Sequence, residues 1–204
     1  ILPLPRGEML KLLPTQTYHL VISSLHPDLT RLTLNALLPT WKVITLHEQP
    51  FTLEQAEVET TTYADILATS FSSDQRRLTI DFVTPTVFKR TGDLQMPLPL
   101  PEYVFGNLID RWARLASTTP LHPDLRDWIQ ANVDIGYHRI GSERVSFERA
   151  GKGFMIGFIG SVGYRIHSSE SPFLNQVHAL AHYARFAGTG AKTTIGLGQI
   201  EISA

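Results

Sequence analysis

The densest chemistry lies in Gly188-Thr189-Gly190-Ala191-Lys192-Thr193-Thr194-Ile195-Gly196-Leu197-Gly198, which sets four glycines beside a lysine and a pair of threonines. Glycine at Gly188, Gly190, Gly196 and Gly198 lets the backbone turn its N–H groups toward a close ligand. Lys192 adds a cation, and Thr193 and Thr194 add hydroxyl donors. Phosphate oxygens suit that set best. The segment is not a mononucleotide P-loop, because G-x-x-x-x-G-K-[ST] needs glycine before the lysine and Ala191 stands there. The order differs as well: a helical pattern precedes the loop and a strand pattern follows it. On these residues alone the loop reads equally as a phosphate site and as a plain helix-to-strand connection with glycines at positive φ.

Other chemistry-bearing residues are scattered. His19 falls on a predicted strand, His26 and His122 precede prolines in predicted loops, and His47 sits near a strand end; each reads as a surface or packed side chain. His178 and His182 are one helical turn apart, but Ala179 stands where a zincin would carry glutamate, so no metal is expected there. Neither metal nor other cofactor is expected. The chain has no cysteine, which excludes disulfides, thiolate zinc sites, iron–sulfur clusters and a cysteine nucleophile. Among the basic residues, Lys89 and Arg90 follow the turn Thr84-Pro85-Thr86, and taken alone they read as a solvated charged loop. Arg111 and Arg114 share a predicted helix with Trp112, itself read as core. Arg139, Arg144 and Arg149 line a predicted strand and turn.

These residues need elements to position them. Of 204 residues 43% are hydrophobic and 18% charged, which supports a folded core. The net charge of -1 neither argues for nucleic acid nor excludes it, so local placement of the 18 Lys and Arg decides. No apolar run reaches the ~18 residues of a membrane span. The first half predicts a strand over Thr17–Ile22, a helix from Asp28 (as N-cap) to Leu37, strands over Trp41–Leu46 and Phe51–Val58, and a helix over Tyr63–Thr69. The polar run Ser70–Gln75 is the predicted boundary, dividing the chain into 1–75 and 76–204. The second half predicts a strand over Leu78–Val83, helices over Glu102–Ala116 and Asp124–Ala131, strands over Val133–Glu148 and Phe154–Ile166, a helix over Pro172–Phe186 and a strand over Gln199–Ser203. That order is the ferredoxin-like split βαβ. The expected fold is α+β, with tandem ferredoxin-like domains of which the first lacks an opening strand and helix. The Pro-rich start without Met leads us to expect natural sequence upstream of Ile1.

The run Leu180 to Gly198 resembles the C-terminal signature of the CRISPR-associated pre-crRNA processing endoribonucleases of the RAMP superfamily. Phe82-Val83-Thr84-Pro85-Thr86-Val87-Phe88-Lys89-Arg90, then Pro97-x-Pro99-x-Pro101, Val104-Phe105-Gly106-Asn107-Leu108 and Arg111-Trp112, is similar to the middle block of that family. Gly157-Phe158-Ile159-Gly160 is a weaker third echo. The resemblance implies ferredoxin-like domains, a CRISPR repeat RNA hairpin as partner, and metal-independent cleavage in which a 2′-hydroxyl attacks the adjacent phosphate. It implies RNA contacts at Lys89, Arg90, Arg111, Arg144, Gly188, Gly190, Lys192, Thr193, Thr194, Gly196 and Gly198. It also implies a cytoplasmic protein, with other effector subunits as further partners. Many relatives carry a catalytic histidine on the first helix of the N-terminal domain. No segment here matches that helix, so the catalytic residue is expected upstream of Ile1. The alternatives are an inactive module that holds the crRNA 3′ handle and a structural subunit that coats guide RNA.

Overall fold

The computed structural model describes residues 13–46, 48–70, 75–92, 94–146 and 153–203. Its centre is a four-stranded sheet formed by β3 (Arg77–Thr86), β6 (Val133–Ser146), β7 (Phe154–Ile166) and β8 (Ile200–Ser203) in the order β6-β7-β3-β8. Each neighbouring pair is antiparallel. Two helices, α3 (Pro101–Leu115) and α4 (Leu125–Asn132), link β3 to β6, and α5 (Ser171–Ala187) links β7 to β8. The predicted split βαβ unit is therefore present and complete.

Local sequence explains these elements. In β3, Leu78, Ile80 and Phe82 alternate with Thr79, Asp81 and Val83, so one face of the strand is apolar and buried while the other is half-exposed. Helix α3 starts at Pro101, where the missing N–H costs nothing. Its spacing then stacks Val104, Leu108 and Trp112 on one face, each 0% exposed. Helix α5 is buried on more than one side. Val177, Leu180, Tyr183 and Ala184 are all buried, and its alanines admit α2 (Tyr63–Ser70) at close range, with Tyr63 meeting Trp112 and Tyr183 edge-on or tilted. Tyr164 crosses the core to donate its hydroxyl to the Pro99 carbonyl at 2.8 Å.

The first half is more open. Helix α1 (Pro27–Leu32) continues as a π turn and a 3-10 turn to Thr40, and β1 (Val43–Leu46) pairs with β2 (Gln49–Thr52). Several expectations need correction here. Thr17–Ile22 forms no strand among the described residues, because no described segment offers it a ladder; Leu20, Val21 and Ile22 stay exposed. The strand placed at Phe51–Val58 begins earlier and stops at Thr52, where pairing with β1 runs out. The cap of α1 is His26 rather than Asp28: the imidazole Nδ1 accepts the Asp28 N–H. In the second half β6 runs straight through Gly141, which pairs with Ile159 of β7. Its predicted end, 147–148, lies outside the described residues, as do most of the expected boundary run and His47.

Candidate nucleic-acid interface

Helix α5 stops where Gly188 turns left-handed at φ 62°. The chain then folds back on the Thr84–Val87 segment. A register shift in β3 between Phe82 and Thr86 frees backbone acceptors there. The Pro85 carbonyl accepts the Gly198 N–H at 3.1 Å, the Val87 carbonyl accepts the Ala191 N–H at 2.8 Å, and Thr84 Oγ1 accepts the Gln199 N–H at 2.9 Å. The two sequence blocks, a hundred residues apart, form one structural unit.

Helix α3 holds this unit from behind. Asn107 Oδ1 accepts the Gly190 N–H at 2.9 Å. The Arg111 guanidinium reaches three loop acceptors: Nη1 donates to the Ala187 carbonyl and to Thr193 Oγ1, both at 2.8 Å, and Nη2 donates to the Gly190 carbonyl at 2.6 Å. A cation also suits the carbonyl end of α5. Burial pulls the Arg111 pKa down from its ordinary value, an effect opposed by Tyr183 and reinforced by Arg114. A guanidinium remains charged nevertheless. The resemblance implies an RNA contact at Arg111; in the structure its guanidinium clamps the loop. Asn107 was quoted in the family block without a role, and nothing local signals that it would face residue 190.

The glycines divide into two kinds. At Gly190 (φ 89°) an added Cβ would lie 2.7 Å from the Val87 carbonyl oxygen, and at Gly188 it would lie 2.9 Å from that of Gly198. These positions, like Gly198, require glycine for the loop to seat on its own protein. Gly196 (φ 89°) faces open space. The tip from Lys192 to Gly196 is the outward part, with Lys192 itself exposed in the left-handed region at φ 59°. Thr193–Ile195 form a 3-10 turn. The N–H groups of Thr193 and Thr194 bond to no described residue. The tip therefore gathers two amides, the Thr194 hydroxyl and an ammonium group on one short turn, group types that suit anionic oxygens.

Further basic groups flank the tip. Lys89 and Arg90 are exposed on the hairpin of β4 (Phe88–Lys89) and β5 (Gln95–Met96), directly after the Val87 anchor. The Gln95 side chain accepts the Ile156 N–H at 3.4 Å and ties this hairpin to β7. Arg144 on β6 lies over the Phe154 ring, 4.4 Å from its centroid, and Arg139 is exposed farther down the strand. Gly157 packs against Thr86, where a Cβ would approach the amide nitrogen to 2.9 Å, so the third sequence echo belongs to the same unit. Arg114 is exposed and bonds back to the Asp110 carbonyl. Trp112 is core, its Nε1 donating to the Thr119 carbonyl at 2.7 Å. Arg149 lies outside the described residues.

Two histidines act as local acceptors. His26 and His122 each open a His-Pro-Asp sequence, and each accepts the N–H of its aspartate through Nδ1. His178 is buried with Nε2 2.7 Å from the Gln75 carbonyl oxygen. Burial, then Arg185 and His178, lowers the pKa of His182. His19 is exposed.

Comparison with known proteins gives this geometry a family. The model of the CRISPR-associated endoribonuclease Cas6 matches residues 80–200, more than half of the chain and the whole of the unit just described. The chain is 26% identical over 129 residues to a Cas6 endoribonuclease of Mycobacterium tuberculosis (strain CDC 1551 / Oshkosh), an alignment covering 63% of this chain and 40% of the relative. It is 25% identical over 165 residues to one of Streptococcus thermophilus, covering 79% and 65% respectively. The solved structure of Thermus thermophilus Cas6 superposes with a TM-score of 0.62 at 30% identity, over 70% of this chain and 58% of that one. The chain thus spans less than two thirds of the length of these relatives, and its fold is their α+β, tandem ferredoxin-like class. From the matched segment and the loop it contains, the chain belongs to the CRISPR-associated endoribonuclease Cas6 family.

Proposed function

We propose that this chain is the RNA-binding body of a pre-crRNA processing endoribonuclease, gripping the hairpin of a CRISPR repeat with the Lys192–Gly196 tip. One observation carries the reading. The tip keeps Lys192, Thr194 and Gly196 exposed on a base clamped by Arg111, Asn107 and the Thr84–Val87 segment. Such a rigid cluster of donors suits the phosphates of a folded RNA, which proteins read through backbone and shape. Lys89, Arg90 and Arg144 extend the contact along the hairpins on either side, and Gly188, Gly190, Gly196 and Gly198 permit the loop path itself. The division near residue 75 separates a first ferredoxin-like unit from this second one, and the protein acts in the cytoplasm.

In the whole protein the bound RNA is cut without metal. Its 2′-hydroxyl attacks the neighbouring phosphate, the 5′-oxygen leaves, and a 2′,3′-cyclic phosphate results. A general base and acid move the two protons while cations stabilise the phosphorane. The proton-transfer groups lie outside this site, and the product stays bound as crRNA. The test is incubation of the full-length protein with labelled repeat hairpin in EDTA. A cyclic-phosphate product is expected. Tight binding without cleavage would favour a module that only holds the crRNA 3′ handle, and equal affinity for unrelated RNA would overturn the reading.

A further inference from the structure

The far end of the same sheet carries groups that the glycine loop does not use. Register aligns Arg77, Arg165 and Asp134 in one row across β3, β7 and β6. Asp134 holds Arg165 through two bonds, Nε to Oδ1 at 3.1 Å and Nη2 to Oδ2 at 2.8 Å. An irregularity in β6 between Ile135 and Tyr137 leaves Gly136 beside the arginine stem, where an added Cβ would lie 2.7 Å from Arg165 Cγ. Bulges commonly re-aim a side chain in this way. Arg165 is thus held in position before any ligand arrives.

Around it, Arg76, Arg77, Arg165, Ile166 and His167 line an open cavity of about 210 Å³. Arg165 and His167 pair with Asp134, while Arg76 and Arg77 add two further guanidinium groups to the lining, so the arginines outnumber the carboxylate. One row along the sheet, the ring of Tyr137 lies against Gly163, where no other side chain would fit. Its hydroxyl is 3.1 Å from Thr79 Oγ1 and the residue is 54% exposed. The two rows are separated by two residues of strand, about 7 Å, a span that one nucleotide covers. The glycine loop meets β3 at its other end, about 25 Å away along the strand.

We infer that this end of the sheet is a second RNA site, which binds one nucleotide of a single-stranded segment with its base on Tyr137 and its phosphate among Arg76, Arg77, Arg165 and His167. An exposed ring backed by glycine offers a face to any base, and unpaired RNA bases are bound by such stacking. The inference rests on the reading of the chain as an RNA-binding protein and adds a subsite for an unpaired segment.

The test measures binding of the chain to two fluorescent probes, an unstructured oligouridylate and the repeat hairpin. Tyr137→Ala is expected to weaken oligouridylate binding about 5- to 140-fold, the range for loss of one stacked base, and Tyr137→Phe is expected to keep it. Arg77→Gln should lower the slope of log affinity against log salt by about 0.7 for a single strand. Gly136→Ala, which crowds Arg165 without removing a charge, should weaken the same probe. Lys192→Ala, by contrast, should weaken the hairpin. If Tyr137→Ala and Arg77→Gln bind oligouridylate as the parent does while Lys192→Ala still weakens the hairpin, this inference falls and the proposed function stands. Equal losses for Tyr137→Phe and Tyr137→Ala would overturn the stacking role, and binding of neither probe would overturn both readings.

Discussion

Arg111 distinguishes a loop that is held from a loop that merely bears charges. Replacing it with alanine removes donors from the Ala187 carbonyl, the Gly190 carbonyl and Thr193 Oγ1. Hydrogen bonds from a charged donor contribute roughly 1.5–3 kcal/mol each, but three on one side chain do not add. A net loss of about 2–4 kcal/mol follows. For a chain of this length that corresponds to a fall in Tm of about 4–16 °C. Hairpin affinity should drop as well, because the tip must then be ordered on binding. The salt slope should stay close to that of the parent, since three acceptors of the chain already hold the guanidinium. Lys192→Ala should instead lower the slope by about 0.9 for duplex RNA, by analogy with B-DNA. Arg111→Lys sharpens the contrast: it keeps the charge but cannot span three acceptors with a planar fork, so it should melt nearly as early as the alanine variant. The assays are thermal melting by circular dichroism and fluorescence anisotropy across a salt series. An Arg111→Ala protein that melts like the parent and loses salt slope would refute the clamp, as would full rescue of affinity by lysine.

Other outcomes follow from the same geometry. Gly190→Ala brings a methyl against the Val87 carbonyl at positive φ and should cost about 1–3 kcal/mol in denaturant unfolding. Gly196→Ala meets open space and should carry only backbone strain, about 1–2 kcal/mol, while hindering RNA approach. Tyr164→Phe strips the Pro99 carbonyl of its buried donor and should cost about 1–3 kcal/mol by the same measurement. Bonds from Arg165, then from His167, hold the Asp134 carboxyl down from its ordinary 3.8 to about 2. Because its folded pKa is the lower one, Asp134 stabilises the fold above pH 4 and that contribution is lost as pH falls toward 2. An NMR titration should place its midpoint near 2, and Asp134→Asn should flatten the acid limb of stability between those values.

Legibility in the sequence followed the range of the interactions. Period-2 alternation in Leu78–Phe82 and period-3.6 spacing from Val104 to Trp112 are local patterns that each bury one face, so β3 and α3 were readable. The loop was equally visible, since glycine density is a local property. What the loop rests on was not: Arg111 contacts residues 76 to 82 positions away, and no local pattern assigns a cation to an internal carbonyl rather than to a phosphate. For the same reason the sequence left the purpose of Gly188 and Gly190 open; they make room for backbone of this chain, whereas Gly196 of the same loop faces open space. Thr17–Ile22 has strand composition, but strands also need a partner, and composition does not report one. His26 and His122 show the opposite case. Their repeated His-Pro-Asp context was in plain view, and the missing rule was that a histidine before proline accepts the amide two residues on.

The account depends most on the Lys192–Gly196 tip touching RNA, and an amide-resolved NMR titration of the chain with the repeat hairpin tests that directly. The N–H resonances of Lys192, Thr193 and Thr194 should move most at substoichiometric RNA, with Ala191 and Gly198 moving less because Val87 and Pro85 already hold them. A titration in which the RNA shifts other surfaces and leaves Thr193 and Thr194 unmoved would contradict the account.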